Sequence, residues 1–88
     1  MGAYVIAYDL RQQGQNYTCV TKKLSDLGAW HMQGSVWILK ADFTAVQIRD
    51  HLLPCLDAND KLFVGQLSGA AWCGLSDQAG TWLKSIIP

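Results

Sequence analysis

Glutamate is missing from this 88-residue chain: all seven acids are aspartate. The Asp57-Ala58-Asn59-Asp60 segment therefore reads as a turn, because a calcium loop needs a glycine and a terminal glutamate that it lacks. Charge is scarce as well, at 16% of residues, and seven basic residues cancel the seven acids. That balance gives no support for whole-surface attraction to nucleic acid and leaves a local basic patch open. No charged leader precedes a long apolar run, so neither a secretory signal nor a membrane span is expected. Cys19, Cys55 and Cys73 show no close C-x-x-C spacing. They read as small buried or half-buried thiols in a reducing cytoplasm ahead of a disulfide or a zinc site. Repeats, low-complexity tracts and linkers are all wanting, which makes residues 1–88 one domain, with a core over 1–67 and an extension over 68–88.

Apolar side chains are what the chain has in quantity. Half the residues are hydrophobic and four are tryptophan. So small a monomer hides that much apolar surface poorly, and a subunit interface is expected. Ala3-Tyr4-Val5-Ile6-Ala7-Tyr8 is a β-branched and aromatic run that predicts a central strand ending at Asp9. An acid there sits where β/α folds often place chemistry, and equally where an ordinary strand turns.

Beyond the polar loop Arg11 to Asn16, the chain predicts a helix with Asn16 as its cap, a stripe of Tyr17, Val20, Leu24 and Leu27, and Gly28 as its stop. Ala29 to Gln33 reads as a short strand, Gly34 as a tight turn or bulge, and Ser35 to Lys40 as the next strand. Thr44 and Gln47 form a capping box for a second helix carrying Ile48 and Leu52, with Phe43 able to staple onto Ile48. Pro54 frays or kinks that helix near Leu53. Lys61 to Leu67 is a fourth strand. Ser76 caps a last helix that presents Ala79, Trp82, Leu83 and Ile86, with Asp77 in its first turn.

The predicted class is α+β, a ferredoxin-like β-α-β-β-α-β antiparallel sheet with both helices on one face and a C-terminal extension bearing a short helix. The central strands are apolar on both sides: Tyr4, Ile6 and Tyr8 oppose Val5 and Ala7, and Trp37 and Leu39 oppose Val36 and Ile38. Two helices cover one face. The other needs the tail, a second subunit, or both.

Three stretches carry a family resemblance. Tyr4-Val5-Ile6-Ala7-Tyr8-Asp9, then Leu27 to Trp37 with its glycine, short strand and Ser35-Val36-Trp37, and finally the Lys61 to Leu67 strand resemble the small CRISPR-associated, phage-defence family written Cas-two. The Trp72-Cys73-Gly74-Leu75 and Trp82-Leu83-Lys84 tail resembles its standalone SinR-like members. The resemblance implies a ferredoxin-like homodimer, and the composition points to the cytoplasm. It further implies that Asp9 of two subunits meet across the dimer cleft to hold a divalent metal, usually magnesium, for phosphodiester cleavage. By position Asp9 is then the catalytic and metal-binding residue, and Tyr8, Arg11, Ser35, Trp37 and Lys40 are cleft or nucleic-acid-binding residues. Many members of the family serve as nucleic-acid-binding structural dimers without cleavage.

Three function classes follow: a homodimeric nucleic-acid-associated or scaffold protein without robust catalysis, a magnesium-dependent endonuclease acting on DNA or RNA through paired Asp9, and a protein-interaction module of the toxin–antitoxin kind. The virulence-associated protein D ribonucleases share this fold. His31 and His51 read as surface histidines, because no adjacent acid clearly orients either as a base. Trp30 and Trp37 could stack on bases, but Trp37 reads first as a core or interface anchor.

Overall fold

A computed structural model describes residues 1–11 and 15–88. The chain runs β1 (Gly2–Asp9), α1 (Gln15–Asp26), β2 (Trp30–Gln33), β3 (Val36–Ala41), α2 (Ala45–Leu52), a 3₁₀ turn at Leu53–Cys55, β4 (Lys61–Gln66) and α3 (Asp77–Ile86). The strands form one antiparallel sheet in the order β2-β3-β1-β4. The two most apolar strands, β1 and β3, thus occupy its centre.

Strand alternation sorts side chains to the two faces. Tyr4, Ile6 and Tyr8 of β1 and Trp37 and Leu39 of β3 pack with Val20 and Leu24 of α1 and Ile48 and Leu52 of α2. Ala3 and Ile38 point the other way, onto Leu83 and Ile86 of α3, with Val5, Trp30, Met32, Trp72 and Trp82 around them. The tail therefore supplies, within one chain, much of the cover that the two-sided apolar strands require. Trp82 meets Trp30 edge-on, with ring centroids 5.9 Å apart.

The helix signals hold where they are local. The Thr44 side chain accepts from the Gln47 N–H and the Gln47 side chain accepts from the Thr44 N–H, closing the capping box. Ser76 Oγ accepts from the Ala79 N–H at the start of α3. Gly28 takes φ +81°, the left-handed conformation that stops α1 at low cost only for glycine. Pro54 falls in the 3₁₀ turn rather than in α2, as its missing N–H requires.

Two expectations need correcting, and one falls outside the described residues. Asn16 is not the cap of α1, which begins at Gln15; its side chain is used elsewhere. Gln12, Gln13 and Gly14 of the polar loop lie outside the described residues. Cys19 and Cys55 are not thiols but a disulfide, with Cα atoms 5.5 Å apart and a sequence separation of 36. Docking α1 against the 3₁₀ turn brings them together. Closing so long a loop restricts the unfolded chain by about 3–4 kcal/mol in the chain-entropy account. The thiol argument for a reducing compartment loses its support accordingly, and Cys73 is left as an exposed free cysteine.

Candidate functional site

β1 delivers Asp9 to one end of the sheet, exposed, as the last residue of the strand. Its register partner on β4 is Lys61. Alternation places Asp9 on the same face as Ala3 and Val5, at the end away from the residues that α3 covers. Ser35 reaches the same end through the turn between β2 and β3, where its carbonyl accepts the Tyr8 N–H at 3.2 Å.

Arg11 joins this end through its main chain, donating its N–H to Asp60 Oδ1 at 2.9 Å. Asp60 Oδ2 accepts from the Asp57 N–H at 2.8 Å and from the Asn16 side chain at 2.9 Å, and Asn16 donates to Asp57 as well. These donors, Asp57 first, then Arg11 and Asn16, hold the Asp60 carboxyl below its ordinary range. The Asp57–Asp60 turn is thus a polar clasp that holds Arg11 and Asn16 against the start of β4.

Tyr8 and Trp37 lie on the opposite face, buried under the helices. Trp37 Nε1 donates to the Tyr8 hydroxyl at 2.9 Å. Burial raises the Tyr8 phenol pKa, the Trp37 bond lowers it, and nearby Tyr17 adds to the rise. His31 lies flat on Trp37, with ring centroids 4.3 Å apart and planes within 1°, and its Nε2 is in hydrogen-bond reach of the Gly34 carbonyl. Lys40 pairs in register with Ala3, at the far end of β1. Six residues of strand at about 3.4 Å each put it roughly 20 Å from Asp9.

The structure thus gathers Asp9, Arg11 and Ser35 at one end, with Tyr8 and Trp37 behind the sheet and Lys40 remote. Sequence reasoning missed Lys61, Asp60 and Asn16. Lys61 was open to discovery by pairing the first and fourth strands, whereas the clasp joins Arg11 and Asn16 to a distant turn through polar residues that carry no periodic signal.

Among the described residues no three His, Cys or Asp side chains gather into a metal-holding group. Among the described residues, three carboxylates lie near this end: Asp9 has a lysine as its cross-strand neighbour, and the oxygens of Asp57 and Asp60 already accept from Asn16, Arg11 and the Asp57 N–H. That set does not fit magnesium by itself, because a hard dication wants several free oxygen ligands. None of the described helices is long and apolar enough to cross a membrane. No protein-family model matches the chain.

Proposed function

We propose that this chain is a ferredoxin-like, Cas-two-like homodimer that associates with nucleic acid as a scaffold and performs no robust catalysis. The β-α-β-β-α-β order, with β1 and β3 central and α1 and α2 on one face, supports the ferredoxin-like assignment. The observation that carries the functional part is the distribution of cations. Lys22 is paired with Asp26, Arg49 with Asp50, and Lys23 donates to the His51 carbonyl. Arg11 and Lys61 instead share the Asp9 end, and both are exposed.

Two cations of this kind suit a few phosphates of a single strand better than a long duplex. If each engages one phosphate, log affinity for single strands falls against log salt with a slope of about −1.4 per chain. Fluorescence polarisation with labelled single-stranded RNA and DNA across a salt series measures it. Replacing both residues, Arg11→Ala with Lys61→Ala, should flatten the slope and weaken binding. Absence of binding at low salt overturns the nucleic-acid reading and leaves a protein partner as the better one. The same samples test catalysis: with magnesium and with chelator, wild type and Asp9→Asn should melt alike and leave the strands uncut. Magnesium-dependent cutting that Asp9→Asn abolishes establishes the endonuclease instead. In a cytoplasmic setting the reducing thiol pool would hold Cys19 and Cys55 open, so these measurements belong in both oxidised and reduced protein.

A further inference from the structure

The two edges of the sheet are treated differently. β2 has four residues, and its pairing with β3 is irregular between His31 and Gln33. Short, bulged edges are poor templates for another strand. β4 has six residues in unbroken register with β1, no proline, and a single charge at its first position. Among the described residues this edge is guarded by Lys61 alone.

We propose that β4 pairs with β4 of a second copy of this chain, antiparallel about a two-fold axis at Val64, joining two sheets into one of eight strands. The proposal deepens the homodimer reading and rests on it. Leu67 donates its N–H to the Ala3 carbonyl. Alternation along an antiparallel strand then turns Lys61, Phe63 and Gly65 toward β1, and aims the N–H and C=O groups of Leu62, Val64 and Gln66 outward. With Val64 opposite Val64, all three outward residues find partners, giving about six main-chain hydrogen bonds.

The side chains agree with that register. Phe63, 63% exposed, falls opposite the partner's Gly65. Glycine leaves space for the ring, as it already does within the chain, where a Cβ on Gly65 would stand 2.8 Å from the Phe63 ring. Lys61 is the only charge on the strand, and antiparallel pairing holds the two copies at opposite ends, whereas parallel pairing stacks them. Val46 of α2, 55% exposed, shares a shallow cleft with Leu62 and Val64 and extends the apolar strip beside the edge. In this dimer the two Asp9 residues stand about 25 Å apart by strand spacing and rise, too far to share an ion.

The test compares solution mass by light scattering at micromolar concentration, with circular dichroism as the folding control. Wild type should weigh twice the 9.7 kDa chain. Val64→Pro removes an N–H that β1 does not use, so it should leave the fold intact while raising the dimer dissociation constant on the order of a hundredfold. Phe63→Lys, which sets a charge opposite glycine, should also dissociate the dimer and decides the matter if the proline variant fails to fold. Thr81→Lys, on the exposed side of α3, should leave it dimeric. A dimer that survives both edge substitutions, or that Thr81→Lys splits, overturns edge pairing and leaves the homodimer reading standing. A monomeric wild type overturns both.

Discussion

The two faces of the sheet are closed by different means. On the helix face Ile6, Val20, Leu24, Leu39, Ile48 and Leu52 are all less than 2% exposed, and a disulfide joins α1 to the turn after α2. On the tail face the fully packed set is Ala3, Ile38, Leu83 and Ile86, beside an apolar cavity of about 300 Å³ among Val5, Ile38, Leu67, Trp72 and Leu83. The helices of the first face are held by periodic stripes and a covalent bond. The second face is closed by a glycine-broken segment and one ten-residue helix. A sheet apolar on both sides needs two covers, but they need not be equally tight.

Deleting residues from Gly69 onward should break the comparison outright. It uncovers Ala3, Val5 and Ile38 at once, and exposed apolar surface on that scale drives aggregation. The expected result is loss of cooperative melting or precipitation; a truncated chain that melts like the whole one shows the tail to be dispensable. Reduction should act next most strongly, and on the other face. Replacing Cys19 and Cys55 together with serine should cost about 3 kcal/mol, seen as a lower midpoint in urea with the fold retained. An unchanged midpoint would mean the bond contributes no stability.

The smallest expected effect concerns Tyr8. Burial raises its pKa above the ordinary value near 10, so its contribution to stability is complete below pH 10 and is lost as pH rises through the folded value. Trp37→Phe deletes the one donor that lowers that pKa, at a cost of about 1 kcal/mol. Phenolate absorbance should then show Tyr8 titrating at still higher pH than in wild type. An unshifted titration would remove the Trp37 bond from the account of this face.

Local features were legible in the sequence because neighbouring residues decide them. The stripe of Val20 and Leu24, the Thr44–Gln47 capping box, the stop at Gly28 and the Ser76 cap each depend on fewer than about five positions. The faces of β1 and β3 were not assignable, since both sides are apolar and alternation alone cannot say which receives the helices. That is why Tyr8, a cleft residue by the resemblance, lies instead beneath α1 and α2, where Trp37 takes the core position that it reads as first. The disulfide was hidden because it depends on docking two elements separated by β2, β3 and α2. At the candidate site, the strand ending at Asp9 was plain from the apolar run, and Ser35 follows from the turn beside it. Lys40 was named without a register to show that it belongs to the other end.

The Cys19–Cys55 bond also changes how the chain responds to a pull. Its closed loop contains β2, β3 and α2, while β1 and β4 lie on the two arms outside it. Tension applied to the ends passes across the sulfur bridge and bypasses everything within the loop. About 120 Å of contour is thereby excluded from extension, at roughly 3.4 Å for each of the 36 spanned residues. β1, which holds the two arms together by pairing with β4, yields to force while β3 remains inside a covalent ring. Mechanically, the oxidised protein is a clasp between two strands with a sheltered loop hanging from it.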